Sequence, residues 1–549
     1  MNKTLKRDLT ASLIATAVVS IPSLTAVMGE KLLINYATGT VTGFEFASVI
    51  SNQERLLSLL FLIALPILFY FRKGILLLIN ENNPGYRCGI VLVFLPWLPL
   101  LFHNAFFSIS AFHGLYVGDF DFTNISSALN RTAHGDGILI TPFVSTGNSG
   151  SFLGHHFAPS LLLYLPFYII FHLLNNAGLL PTAVSGHQIY GMLLWSTLTL
   201  GVFFWSRLIH YFTKNNFTAI LISAALCLAY PVWRLAGSFH FEIMVLPLSA
   251  LTIHAYLKNE KHYWIYLFLW MGIKEDISVY TAFFGLYIFF NGQYKNGLLT
   301  GIFSVLYFLA ASGPLHDYFS GSAGTDFYSY FQMIPTENNF KTSFFGLLFT
   351  FAFLPVLSFR LFFLVILPIA AVHYNSGHPW HNTFYGHYVY SILPFLMYGF
   401  MRSFRNISGW NGLDFYKFKF YSIAAVFCLI LYADSAEKEN PPLLFAEDAR
   451  YADLNRIIPL IEKNSCVKTL IPFTAHIPLN SRVFPVAAPK NNPVNTDFSS
   501  CRKVYLLIDK SDARIPYYTY EKLSELESEA DSNMKLIKTS GKLKLYANF

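Results

Sequence analysis

Apolar runs of helix length follow one another along most of this chain, separated by short polar breaks. They lie at about 9–28, 56–71, 89–112, 184–205, 217–236, 243–257, 263–273, 277–290, 298–312, 344–357, 361–374, 389–401 and 420–433. A spanning helix needs roughly 20 apolar residues, so the pattern predicts about thirteen transmembrane helices. The runs at 263–273 and 277–290 are too short to cross alone without tilt or a break, and Lys274, Glu275 and Asp276 separate them. A further run at 159–174 contains Pro159 and Pro166, which weaken a straight span, and it is expected to be re-entrant or interfacial. Near Glu437 the pattern becomes mixed charged and apolar. It reads helix (446–463), strand (467–473), proline-rich connection, strand (503–508), helix (517–530) and hairpin (535–546), a small α/β domain. The expected divisions are N-terminal transmembrane helices over 1–112, an active-site loop over 113–183, a transmembrane bundle over 184–435 and an α/β domain over 436–549.

Composition sharpens this reading. Of 549 residues, 54% are hydrophobic and 13% charged, with mean hydropathy +0.44. Soluble domains carry roughly 25% charged residues, so the chain is read as an α-helical polytopic membrane protein. Lys3, Lys6 and Arg7 precede the first run and place the N-terminus in the cytoplasm. With the 159–174 run kept from spanning, Arg207, Lys258, Lys295, Arg360 and Arg402 also fall on the cytoplasmic side, and an odd span count puts the C-terminal domain outside. The net charge of +7 reflects such loops and gives no reason to expect nucleic-acid binding. Five cysteines show no metal-ligand spacing; Cys466 and Cys501 lie in the tail and could pair in an oxidising compartment.

The longest polar interruption before the tail runs over 114–159, and a loop of that length between membrane segments is usually functional. It holds Asp119 and Asp121 near its start and His155 and His156 near its end. The expected topology gathers His240 and Glu242, the Lys274–Glu275–Asp276 cluster, Asp317 and Asp326, and His378, His381 and His387 on the same side. Each group has a plainer reading: a solvated turn, histidines at a helix start, a self-neutralising cluster, a turn cap, an aromatic belt. Ionisable groups beside membrane segments are costly, and their shared side points to a cleft at the outer leaflet.

The stretches FDFTNISSALNRTAHG, HHFAP, SFHFE and GIKEDISVY follow the order of an uncharacterised bacterial membrane-protein family, domain of unknown function 2079, whose patterns resemble FDLGIFDQALWNTLHG, HFSP, FHPE and KED. That family looks like a member of the GT-C superfamily of polytopic glycosyltransferases. Asp121 matches the family's first aspartate and Gly135 its final glycine; His156, His240, Glu242, Lys274, Glu275 and Asp276 match the later motifs. His387-Tyr388 and Asn480-Ser481-Arg482 are also similar. The likeness covers roughly 112–510. Ser126 and Ser127 stand where a second aspartate and a glutamine are usual, and Asn130 stands for a tryptophan.

The resemblance implies a GT-C-like fold in a bacterial inner membrane and transfer of a sugar from a polyprenyl-phosphate donor to a glycan, lipid or protein acceptor at the extracytoplasmic face. Such chemistry needs a carboxylate to take the acceptor proton and positive charge on the departing phosphate. Asp121, or else Asp119, is the expected base. Lys274, His156 and His240 are the expected phosphate ligands, supported by His155, Glu242, Glu275, Asp276 and His387. A divalent metal, Mg or Mn, on Asp119, Asp121 and His156 is a further expectation. The rival class is a transporter or flippase of lipid-linked saccharides, since broken helices and intramembrane charges also mark transport sites. The one-sided placement of the acids and the lack of detectable halves weigh against it.

Overall fold

The computed structural model describes residues 30–35, 40–46, 89–113, 115, 120–141, 150–179, 184–213, 216–320, 339–351, 353–376, 381, 384, 386–408, 448–486, 501, 503–510 and 520–548. The spans expected at 9–28, 56–71 and 420–433 lie outside these, as do Asp119, Asp326 and His378. A hairpin of β1 (Glu30–Asn35) and β2 (Thr40–Phe46) comes first.

The expected run at 89–112 forms α1 (Gly89–Phe94) and α2 (Leu98–His113), separated by a 3-10 turn with proline in its first positions. An amphipathic helix follows, α3 (Phe120–Ala133), then a 3-10 turn (Pro159–Tyr164) leading into α4 (Leu165–Asn176). The rest of the helical body is α5 (Gly186–Thr213), α6 (Asn216–Leu228), α7 (Tyr230–Gly237), α8 (Val245–Lys258), α9 (Tyr263–Met271), α10 (Ile277–Phe290), α11 (Tyr294–Ser312), α12 (Pro314–Ser320), α13 (Asn339–Thr350), α14 (Leu367–Tyr374) and α15 (Leu393–Ser408). Among the described residues, Gly186–Thr213, Phe241–Lys258 and Tyr294–Ser320 are long and apolar enough to cross a membrane. The other expected spans that fall within the described residues are shorter or broken. Pro231, for instance, sits in the first turn of α7, where its missing N–H costs nothing, and splits the run at 217–236.

Two features fix the body around the polar residues. Helices α10 and α11 meet backbone to backbone, because a Cβ on Gly285 would lie 2.6 Å from the Gly301 nitrogen. Helix α4 turns His172 and Asn175 inward and leaves Phe167, Ile170 and Leu173 exposed, as a helix with lipid on one side would.

The C-terminal domain contains α16 (Ala449–Ile457), β3 (Cys466–Thr469), β4 (Arg482–Pro485), β5 (Val504–Ile508), α17 (Tyr520–Asn533), β6 (Lys535–Ser540) and β7 (Leu543–Ala547). The sheet order is β4-β3-β5-β7-β6, with β3 parallel to β4 and β5 and the β6–β7 hairpin antiparallel. The expected strand at 467–473 stops at Thr469, because Pro472 lacks a donor for the ladder and begins a short helical turn, Ile471–Thr474. Strand β4 lies inside what the pattern suggested was only a connection; it is short, and its edge position tolerates Pro485. Cys466 and Cys501 are disulfide-bonded, with Cα atoms 5.7 Å apart. Leu115, just past α2, joins the core formed by Leu454, Val467, Leu507 and Leu545, so the domain is seated on the helical body.

Candidate active site

Asp121 occupies the first turn of α3, where the helix dipole favours an acid. From Phe122 to Asn130 the helix is buried, but the Asp121 side chain is 41% exposed. Its Oδ2 lies 3.5 Å from His240 Nε2. Desolvation by its surroundings pushes the Asp121 carboxyl up, but the hydrogen bond and charge of His240, with His155 and His156 nearby, outweigh this and hold it at about 2. It is therefore ionised at neutral pH.

The opposite wall is the turn between α7 and α8. Phe239 adopts a left-handed backbone there (φ 52°), a conformation costing a non-glycine residue about 1 kcal/mol or more. His240 and Glu242 follow, both buried. His240 Nδ1 contacts Glu242 Oε2, and Lys274 Nζ donates to Glu242 Oε1 at 3.2 Å. Lys274 lies in the break between α9 and α10, where α9 is too short to cross the bilayer. Its ammonium faces the rings of Tyr388 and Tyr390 at 5.2 and 5.3 Å, a favourable cation–π setting. The His387 ring stacks on His240 with centroids 3.9 Å apart, and its Nε2 is 3.9 Å from Glu242 Oε1.

The same break anchors the end of the long loop. Glu275 accepts from His156 Nδ1 at 3.0 Å and from the Phe157 amide at 2.9 Å. The Ser160 amide donates to the Gly272 carbonyl at 2.8 Å. His155 stands beside His156, rings 4.4 Å apart, and is exposed. Asp276 faces elsewhere: its Oδ2 accepts from Tyr280 at 3.2 Å and from Tyr390, with His381 Nε2 at 3.8 Å.

One contact chain thus links Asp121, His240, Glu242, Lys274 and His387, with His156 and Glu275 beside it. Asp276 and His381 form an adjoining buried network with Tyr280, Tyr390 and His373. Asp317 is 3.7 Å from His316. Tyr388 stood in the His387-Tyr388 pair of the resemblance, whereas no role was expected of Tyr280 or Tyr390; Tyr388 and Tyr390 alternate along one short segment, HYVY, that begins at His387.

Of the expected metal ligands, Asp119 lies outside the described residues. His240, Glu242 and His387 each offer an atom within 4.8 Å of the others and could hold a metal ion. His156 turns instead to Glu275. Two imidazoles and one carboxylate suit zinc-like ions better than Mg or Mn, which favour all-oxygen sets. The Lys274 ammonium on the same carboxylate opposes any cation there.

The family model described as "Predicted membrane protein (DUF2079)" matches residues 111–540. No curated protein matches the chain significantly. Among solved structures, ArnT from Cupriavidus metallidurans bound to undecaprenyl phosphate is similar at TM-score 0.45 and 11% identity, over 85% of this chain and 99% of that one. The same protein in the apo state gives TM-score 0.40 and 11% identity, over 78% and 93%. Likeness of that degree carries no functional argument, and the function has to be read from the side chains.

Proposed function

The chain belongs to the DUF2079 family of predicted membrane proteins, and we propose that it is a membrane glycosyltransferase that moves a sugar from a polyprenyl-phosphate donor to an acceptor at the extracytoplasmic face. One observation carries this reading: a single half-open carboxylate, Asp121, touches a buried set of imidazoles backed by a lysine. An open acid can meet an acceptor hydroxyl, while the lysine and the imidazole N–H groups beside it can receive a departing phosphate.

In the proposed step, Asp121 takes the acceptor hydroxyl proton as its oxygen bonds to the anomeric carbon. The bond from that carbon to the phosphate oxygen breaks, and the phosphate leaves with the bonding electrons. A single displacement of this kind inverts the anomeric centre. His240, His156 and Lys274 stabilise the leaving phosphate. A carboxyl held at about 2 is a weak base. A phosphate engaging His240 draws that stabilisation away from Asp121 and raises its basicity.

Asp121→Asn keeps the size and cannot accept the proton. With purified protein and labelled polyprenyl-phosphate sugars, it should lower transfer by about 10²-fold or more, with donor binding retained. Full activity in that variant would remove Asp121 from the role of base. Movement of the lipid-linked saccharide by wild type, with no covalent sugar product, would make the protein a transporter.

A further inference from the structure

Helix α3 is enclosed on two sides. Towards the body, Phe122 packs on Tyr190 with rings 4.9 Å apart, and Ser126 Oγ lies 3.1 Å from the Tyr168 hydroxyl. Towards the C-terminal domain, polar contacts reach it from the segment 474–484. Thr123 Oγ1, two residues from Asp121, is 3.2 Å from Thr474 Oγ1. Asn130 Nδ2 donates to the Leu479 carbonyl at 3.1 Å. Just beyond the helix, Arg482 donates to both oxygens of Asp136, at 2.6 and 2.8 Å. Arg131 also donates to Asp136, at 3.2 Å, and lies over the Phe484 ring at 5.4 Å.

The two ends of α3 are therefore gripped from the same side. A helix held at one point can pivot or turn about its axis; one held at both ends can do neither. The far grip is a forked arginine–carboxylate pair, the most directional ionic contact available to side chains. The near grip sits next to the carboxylate itself. Neither belongs to the wall that carries His240 and Lys274.

We propose that the C-terminal domain is the positioning element for Asp121: Thr474 and Arg482 hold α3 at its two ends and so set the carboxylate opposite His240. The catalytic consequence rests on Asp121 acting as base; the structural one does not. A reacting group displaced by about 1 Å can lose up to about 10² in rate, so a loosened α3 should act on turnover rather than on donor capture.

The test uses full-length protein in lipid nanodiscs and compares Arg482→Gln, Arg482→Lys and Thr123→Val with wild type. Amide hydrogen exchange over residues 121–133 should quicken by about tenfold in Arg482→Gln, with α10 and α11 unchanged. Lysine keeps the charge without the fork, so Arg482→Lys should recover part of the protection. In the transfer assay, kcat should fall about tenfold while KM for the polyprenyl-phosphate sugar stays within about twofold. If Arg482→Gln does not fold, Thr123→Val carries the same comparison with a smaller change. Unchanged exchange in α3, or quickened exchange with unaltered kcat, overturns the proposal. Quickened exchange in a protein whose wild type transfers no sugar upholds the grip and rejects the proposed function instead.

Discussion

Glu242 and Asp121 are both acids in contact with His240, yet the protein holds them by different means. Glu242 is fully buried, fixed between α7 and α8, and paired with Lys274 from the α9–α10 break. The break is itself braced by α10 and α11, which touch along their glycines. Asp121 is half open and sits on a helix whose outer face is held by a separate domain. One wall of the site is thus part of the bundle's own packing. The other packs its apolar side, Phe122, Ile125 and Leu129, on that bundle and is held on its outer face by polar contacts from the C-terminal domain.

Glu242→Ala should have the largest effect, because it leaves the Lys274 ammonium buried without its carboxylate. Breaking a buried pair costs about 3–5 kcal/mol, read as a fall in the midpoint of thermal unfolding in detergent. The double change Glu242→Leu with Lys274→Met should recover most of that loss, since an apolar pair carries no desolvation penalty. An unchanged midpoint in Glu242→Ala would erase the distinction between the walls.

Replacing Cys466 and Cys501 with serine should come next and strike only the other wall. The bridge closes a loop with a sequence separation of 35, and loss of a crosslink of that span costs about 3–4 kcal/mol of chain entropy. Hydrogen exchange should quicken in β3 and β5 while α10 and α11 stay protected. Loss of protection in both regions would show that the two parts unfold as one.

The smallest effect is acid sensitivity. Desolvation raises the Asp136 carboxyl, but the hydrogen bond and charge of Arg482, with Arg131, bring it below its ordinary value. A carboxyl depressed in the folded state contributes stability that is present above its unfolded value, about 3.9, and is lost as pH falls through the folded value. Protection of α3, corrected for intrinsic exchange, should therefore hold at neutral pH and weaken below about pH 4. In Asp136→Asn that additional acid sensitivity should vanish.

The same division explains what could be read beforehand. Lys274, Glu275 and Asp276 stood out because charges between two short apolar runs contradict a plain membrane span, and the structure puts a helix break there. His240 and Glu242 were visible as polar residues in an apolar setting. The grip on α3 was not visible, because Asp136 and Arg482 are 346 positions apart and no periodicity connects them. The stretch FDFTNISSALNRTA looked like a loop because its helix buries Thr123, Asn124, Ser126, Ser127 and Asn130. Such residues are expected at a surface unless a second body covers them. Strand β4 was hidden for a local reason: four residues ending in proline carry too little pattern to separate from a connection.

The distance along the chain between Asp136 and Arg482 also sets a schedule. A ribosome adding about 5–20 residues per second needs roughly 20–70 s to go from one to the other. Throughout that interval the bundle wall can assemble, because His240, Glu242 and Lys274 are made early, while α3 waits for a partner that does not yet exist. The segment that grips the outer face of α3 is thus made long after α3 itself. A product cut short before residue 474 would carry the wall of His240 and Lys274 without the outer grip on α3, so the C-terminal segment would act as the latch that completes the proposed site.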